Sequence, residues 1–322
     1  MRAAVTGATG LLGGNLAVHL REAGHHVVAT RRASSRTAHL DRWGIEWVEA
    51  PLGDVDALSR VFDGADVVFH VAAAVDIVRD VTPLLQAVNV DGTHNVLRAM
   101  AGAGRLVHCS STVAVGISTD GEPVTEDAVW NLPELGLADG YATTKRQSEE
   151  VVRAWGGDAV VVNPGFMFGP FDVKPSSGTM IQQLMRGRIP GYSTGRNSFV
   201  DVRDVAAGMV LAAEKGKRGE RYILAGENLG YGEIFERIAA VAGVQAPKRA
   251  VPKWIARIGG WGGDAVLALG GNSELNSNTV DWGYTSGFVA SSAKAERELG
   301  YTRRPVDHGI QACLDWWMEN AG

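Results

Sequence analysis

Ala3-Ala4-Val5-Thr6-Gly7-Ala8-Thr9-Gly10-Leu11-Leu12-Gly13 is the stretch whose reading decides the fold. A short apolar run enters a turn with glycines spaced GxxGxxG, and a helical apolar pattern follows at once. Gly7 permits a tight turn, Gly10 lets backbone approach a pyrophosphate, and Gly13 lets the helix lie close to the strand. Thr9 sits in the turn, while Leu11 and Leu12 open a helix whose free N–H groups and positive end attract phosphate. A glycine triplet carries weight only between a strand and a helix, which is the context here. Gly7, Thr9, Gly10, Leu11 and Leu12 are therefore cofactor-binding candidates.

Outward from this turn, short β-branched runs alternate with helical patterns. Strands are predicted at Ala3–Val5, His26–Thr30, Glu46–Glu49, Val67–His70, Leu106–Cys109 and Val160–Asn163. Helices are predicted at Leu11–Ala23, Ala57–Phe62, Thr82–Ala103 and Gly140–Trp155. Apolar strands joined by helices imply a parallel sheet covered on both faces, so the expected class is α/β, a doubly wound Rossmann sheet. After Gly165 the pattern loosens through a Gly-, Pro- and Ser-rich stretch. Strands are predicted at Ser198–Val202 and Arg221–Ala225, and helices at Asp204–Lys215, Gly232–Ala242, Ser292–Leu299 and Val306–Asn320. Residues 1–165 are expected to form the dinucleotide-binding domain, with some later segments returning to it. Residues 166–322 are expected to form mainly a smaller substrate lobe.

The 322 residues, 45% hydrophobic and 21% charged, exclude disordered, collagen-like and coiled-coil chains. A net charge of −5 supplies no overall basic field, so neither nucleic acid nor a membrane is an expected partner. Val251–Gly271 is the most apolar later stretch, but Lys253, Arg257, Asp264 and its glycines interrupt it, against a span of roughly twenty apolar residues. No leader pattern precedes the first strand, and only Cys109 and Cys313 are present, which points to a reducing cytoplasm. No His, Cys or carboxylate cluster has metal-ligand spacing, so no metal is expected.

The second strand reports on which dinucleotide binds. It ends Arg31-Arg32-Ala33-Ser34-Ser35-Arg36, with no carboxylate for an adenosine ribose 2′-hydroxyl. Guanidiniums match phosphate oxygens in a planar fork, so Arg31, Arg32 and Ser35 favour NADP(H) over NAD(H). Asp54, with Val55 beside it, follows the third strand where its carboxylate could meet an adenine amino group. Val71, Ala72 and Ala73 follow the fourth strand and are small enough for a flat cofactor to lie near the backbone.

Tyr141-Ala142-Thr143-Thr144-Lys145 places a phenol and an ammonium on one helix face. A tyrosine with pKa near 10 exchanges protons poorly at neutrality, and a neighbouring cation is expected to lower that value. Ser110-Ser111-Thr112 lies one strand earlier, at the sheet's carboxyl edge, where a hydroxyl can orient a substrate carbonyl.

With these motifs, the chain resembles the extended short-chain dehydrogenase/reductase superfamily, or NAD-dependent epimerase/dehydratase family. The likeness covers nearly the whole chain and is carried by Thr6–Gly13, Asn89-Val90-Asp91-Gly92-Thr93, Ser110–Gly116, Tyr141–Lys145, Asn163-Pro164-Gly165, Phe168-Gly169-Pro170 and Leu299-Gly300-Tyr301. Within the superfamily it is most similar to dihydroflavonol-4-reductase-like and hopanoid-associated sugar epimerase-like proteins. The resemblance implies Tyr141 as acid/base, Lys145 as ribose anchor, and Ser111 rather than Ser110 as the active hydroxyl. It also adds Asn89, Pro164 and Gly165 to the cofactor site, places Arg32 at the 2′-phosphate position, and makes a homodimer through two helices a common arrangement. Three departures matter: Val113 and Ala114 replace the acidic pair of dehydratases, Asn197 stands where nucleotide-sugar enzymes carry arginine, and Asn163 replaces the arginine common before Pro164.

The expected activity is NADP(H)-dependent reduction of a carbonyl to an alcohol, or the reverse, on a small or medium organic substrate. Val75, Ser111, Val113, Tyr141, Phe166 and Met167 are the expected substrate contacts. Alternatives are a nucleotide-sugar epimerase, a 3β-hydroxysteroid-type dehydrogenase, or a non-catalytic dinucleotide sensor, which would not need Ser111, Tyr141 and Lys145 together.

Overall fold

The computed structural model describes residues 1–173, 177–271, 273 and 275–320. The first half alternates β1 (Arg2–Thr6), α1 (Leu11–Glu22), β2 (His26–Arg31), β3 (Glu46–Glu49), α2 (Val55–Phe62) and β4 (Val67–His70). It continues through α3 (Pro83–Leu85), α4 (Gly92–Arg98), β5 (Arg105–Cys109), α5 (Gly140–Ala154) and β6 (Ala159–Pro164). The second half holds β7 (Phe166–Phe168), α6 (Gly178–Met185), β8 (Arg196–Asp201), α7 (Val202–Lys215), β9 (Arg221–Leu224) and β10 (Glu227–Gly230). Helices α8 (Tyr231–Ala242), α9 (Lys253–Ala268), α10 (Ser277–Gly283), α11 (Ala293–Leu299) and α12 (Val306–Glu319) complete it.

Seven parallel strands form the main sheet in the order β3-β2-β1-β4-β5-β6-β9. Its strands are apolar on both faces because α1 and α7 cover one and α2, α4 and α5 the other. The expected Rossmann sheet is therefore the observed one. Strand order reverses about β1, which pairs with both β2 and β4, so the crevice past the carboxyl ends of β1 and β4 is the natural ligand position.

Strand β9 and helices α7 and α11 belong to the main sheet, although they lie late in the chain. A second sheet, β10-β8-β7, packs with α6, α8 and α12 around Phe168, Phe199, Ile234 and Ile310. Along β7 the side chains alternate, so Phe166 joins this lobe core while Met167 packs on the main-sheet core. Trp317 also packs in the lobe, whereas Trp316 turns to Phe171 and His39 and ties α12 to the first half.

The predicted helix Thr82–Ala103 is in fact broken. An α-turn at Pro83–Leu85 widens to a π-helical stretch at Gln86–Asp91, returns to α at Gly92–Arg98 and tightens to a 3₁₀ turn at Ala99–Gly102. Within it the Thr93 hydroxyl donates to the Asn89 carbonyl at 2.6 Å, and the Asn89 side chain is drawn to the β4 loop. Such insertions commonly sit at functional sites. Helices α6, α9 and α10 were not legible, because glycines interrupt the apolar period of α9 and the other two are short. Among the described residues no helix is long and apolar enough to cross a membrane.

Gly13 shows how tightly the first turn is built: a Cβ there would lie 2.2 Å from the Gly7 carbonyl oxygen, with only backbone to yield. Gly13→Ala is expected to lower unfolding free energy by about 1–3 kcal/mol through overpacking, read as a lower urea midpoint at unchanged slope. An unshifted midpoint would show that α1 can retreat freely from the turn.

Candidate functional site

The β1–α1 turn meets the requirements of a pyrophosphate cradle. Gly7 holds φ +75°, and a Cβ on it would meet the Ala72 backbone nitrogen at 2.6 Å, so the turn and the β4 loop touch main chain to main chain. On Gly10 a Cβ would have only the Gly7 oxygen near it, at 3.4 Å, which leaves the space over the turn open. Gly10 caps α1 without a side chain, so no protein group competes for the first N–H groups of the helix, beside Leu11 and Leu12. Thr9 is half-buried beside them. A nucleoside diphosphate fits this surface.

At the end of β2 the backbone N–H of Arg32 donates to Ser35 Oγ at 3.1 Å and Ser35 N–H returns to the Arg32 carbonyl at 2.9 Å. This closed turn holds Arg32 exposed, while Arg31 Nε is buried without a hydrogen-bond partner among the described residues. The donor set suits a phosphate. Asp54 caps α2, accepting from Ala57 N–H at 2.9 Å, and Val55 is the first residue of that helix. Asp54 is thus exposed at the same crevice but already has a structural role.

The loop after β4 is fastened from beneath. Asn89 accepts from Ala74 N–H at 2.8 Å and donates to the Ala74 carbonyl at 3.0 Å and Thr144 Oγ1 at 3.1 Å. Its buried amide is fully engaged, so Asn89 positions Val71–Ala74 rather than reaching past that loop. Below lies a polar column that was not foreseen. His70 bonds Thr6 Oγ1 through Nδ1 at 2.8 Å and Thr93 Oγ1 through Nε2 at 3.1 Å. His108 pairs with His70 in register on β5, its ring centroid 5.3 Å away, and meets Ser148 Oγ at 3.4 Å. Burial drives the His70 pKa down to about 3 and that of His108 well below the usual range, with the Lys145 ammonium acting the same way.

Tyr141 lies in the first turn of α5, whose cap is Asp139, accepting from Ala142 N–H at 2.7 Å. The Ser111 hydroxyl lies close enough to the Tyr141 phenol to act on it, so two of the three expected catalytic groups are brought together. Lys145 is buried one turn further on, and its Nζ donates to the Cys109 carbonyl at 2.8 Å. The expected lowering of the phenol by the ammonium is not found. Burial pushes Tyr141 upward, the nearby Ser111 hydroxyl opposes this, and Cys109 and Asp139 add to the rise. Lys145 is itself pushed down by burial and bound to a carbonyl, so the phenol stays protonated at neutral pH. Asp139 is pushed up to about 7, chiefly by burial, and its Oδ2 has no partner among the described residues.

Ser111 is anchored by a second buried network. Asn163 Nδ2 donates to the Ser111 carbonyl at 3.0 Å and to Glu149 Oε2 at 2.8 Å. The other Glu149 oxygen receives Arg221 at 3.2 Å, and Arg221 also donates to the Glu126 and Ala128 carbonyls. Arg221 reaches this network from the start of β9, a strand distant in sequence. A charged residue heading an otherwise apolar strand was the available signal for Arg221.

Of the expected substrate contacts, Val75 is exposed on the β4 loop. Val113 is buried against Ala142 and Tyr141, and its carbonyl accepts from Trp130 Nε1 at 2.9 Å. Pro164 is buried in β6, and half-buried Gly165 leads into β7, with Phe166 and Met167 half-buried beyond it. Beyond Met167 the chain runs on through residues 174–176, which lie outside the described residues. Among the described residues no group of three His, Cys, Asp or Glu side chains could hold a metal ion.

The model of the NAD dependent epimerase/dehydratase family matches residues 3–225. The chain belongs to that family. Its members bind a nicotinamide dinucleotide, and its reductase-named relatives mark it as an oxidoreductase-type enzyme of the extended short-chain dehydrogenase/reductase class. A Synechocystis sp. protein provisionally named a dihydroflavonol 4-reductase is 36% identical, covering 98% of this chain and 94% of that one. Sterol demethylase protein B of Methylococcus capsulatus is 36% identical over 78% of each chain. The crystal structure of gox2253 superposes with TM-score 0.84 at 32% identity, covering 99% of this chain and 98% of that one.

The buried histidines give the site a pH signature. In the unfolded chain His70 titrates near 6.5 and in the folded chain near 3, so below 6.5 only the unfolded state takes up the proton. Its contribution to stability is complete above pH 6.5 and is lost as pH falls towards 3. Relative to His70→Gln, the wild-type chain should lose about 2 kcal/mol between pH 6.5 and 5, measured by urea unfolding. A difference independent of pH would mean that His70 is not held neutral.

Proposed function

We propose that the chain is an NADP(H)-dependent carbonyl reductase, working also in reverse as an alcohol dehydrogenase, with Ser111, Tyr141 and Lys145 at its centre. The carrying observation is the bond from Lys145 Nζ to the Cys109 carbonyl at 2.8 Å, which gathers the lysine, Tyr141 one helix turn before it and Ser111 two residues past Cys109 at the carboxyl edge of β5. Bound across the crevice, a reduced nicotinamide dinucleotide supplies the hydride. Arg32, Arg31 and Ser35 hold its 2′-phosphate, and Gly10, Leu11 and Leu12 offer backbone N–H groups to its pyrophosphate.

Ser111 and Tyr141 both present O–H groups to one point. There they bind a carbonyl oxygen and stabilise the charge that develops on it during reduction. The elevated phenol is fully protonated at neutral pH, the state needed to donate. Tyr141 gives its proton to that oxygen, and the Ser111 hydroxyl favours the phenolate left behind. Lys145 holds the ribose and Asn89 holds the loop beneath the ring, while Val75, Val113, Phe166 and Met167 surround an organic substrate of apolar character. Val113 and Ala114, in place of an acidic pair, speak against dehydration, and Asn197, which donates to Tyr231 at 3.5 Å, offers no cation to a nucleoside diphosphate substrate. The alternatives of sugar epimerisation and of a non-catalytic dinucleotide sensor predict no net oxidation of NADPH by ketones.

A panel of ketones and aldehydes followed at the NADPH absorbance tests the proposal, and binding without turnover on any member would overturn it. Tyr141→Phe should leave NADPH affinity nearly unchanged and slow turnover by about 10²–10⁴-fold. Arg32→Asp should weaken NADPH by at least about tenfold while NADH changes little, since a charge-assisted phosphate contact is lost. Equal losses for both nucleotides would remove Arg32 from phosphate recognition.

A further inference from the structure

Helix α9 is built with its large apolar side chains outward. Its inner face is made of glycines: a Cβ on Gly263 would overlap the Leu275 carbonyl oxygen at 1.6 Å, and one on Gly260 would meet Val280 Cγ2 at 3.2 Å. This close seat on residues 275–280 leaves Trp254, Ile255, Ile258, Trp261, Val266 and Leu269 exposed. At 3.6 residues per turn these six fall within an arc of about 140°. The exposures are large: 66% for Trp254, 57% for Ile258, 64% for Trp261 and 88% for Leu269. A continuous apolar helix face of this kind marks an interaction surface.

The charge around this face narrows the partner. The chain carries −5 overall, yet the approach to α9 is cationic. Lys248 and Arg249 are exposed just before it, and the Tyr192–Ala250 bridge brings the segment carrying exposed Arg186 and Arg188 alongside. None of these four makes an ion pair among the described residues. The acidic groups packed against α9 are engaged: Asp281 holds Lys253 at 2.8 Å and Arg257 at 3.1 Å, and Asp264 is bonded to Ser277. A second copy suits the face poorly. A twofold pairing would set the like-charged approaches together.

We propose that α9 is a membrane-surface helix that docks the enzyme on a bilayer containing anionic phospholipid. The apolar arc enters the headgroup boundary, the two tryptophans sit at that level, and the cationic approach meets the lipid phosphates. This departs from the expectation set by net charge, which averages over the whole chain. Docking would also bring the catalytic mouth to the lipid. Asn276, which caps α10, donates to the Ile77 carbonyl at 2.9 Å, and Trp282 donates to the Leu137 carbonyl at 3.1 Å. These bonds join the α9–α10 unit to the loops on either side of Tyr141. The docking claim stands independently of the reaction assigned to that site.

Co-sedimentation of the full chain with vesicles tests it. Binding is expected to phosphatidylcholine vesicles containing phosphatidylglycerol, to weaken with salt, and to be much lower on phosphatidylcholine alone. The Trp254→Ser/Trp261→Ser double variant should bind at least about tenfold less, with unchanged NADPH affinity showing an intact fold. The Lys248→Glu/Arg249→Glu variant should lose the preference for phosphatidylglycerol. Wild-type failure to bind anionic vesicles at low salt would overturn the proposal, as would equal binding by the tryptophan variant. A lipid-free dimer that the same variant makes monomeric, without vesicle binding, would assign the face to a second copy instead.

Discussion

The architecture depends on one close contact, the approach of the β1–α1 turn to the loop after β4. Gly7 touches the Ala72 backbone and Gly13 touches the Gly7 carbonyl, both at distances that leave no room for a Cβ. Because side chains are absent there, α1 can point its amino terminus into the crevice at the sheet's reversal point, and the β4 loop can pass beside it. The glycine turn and the β4 loop are therefore two sides of one packing arrangement. A change in either strand's end would misalign both.

From that contact the sheet's carboxyl edge is held by polar groups placed in an apolar sheet. Thr6, His70, Thr93 and Asn89 link β1, β4 and the π-helical stretch, and Asn89 in turn fastens Ala74. On the other side, Asn163, Glu149 and Arg221 join β6, α5 and β9 beneath Ser111. Buried groups so interlinked are costly to leave unpaired, so each network holds its loop to a narrow geometry. Ser111 and Tyr141 meet because both are fixed from below.

The phenol illustrates how environment outweighs spacing. Four residues separate Tyr141 and Lys145, and this places them on one helix face, but the ammonium is drawn to the Cys109 carbonyl and burial governs the phenol. So placed, Tyr141 stays protonated at neutral pH, the state that the proposed reduction uses. Glycines on the inner face of α9 act in a comparable way, since they turn an apolar helix outward by letting its backbone, rather than its side chains, make the contact.

The doubly wound sheet, the glycine cradle, the basic end of β2 and the Tyr-x-x-x-Lys helix were legible in sequence, because each rests on local periodicity or short spacing. Tertiary structure alone decided that His70 and His108 stand in register, that Arg221 reaches Glu149 from a distant strand, and that Asn89 serves a loop rather than open space. It also decided which side of α9 is covered. These outcomes depend on contacts between segments far apart in the chain, and on how burial shifts a charge, neither of which a residue's neighbours in sequence can specify.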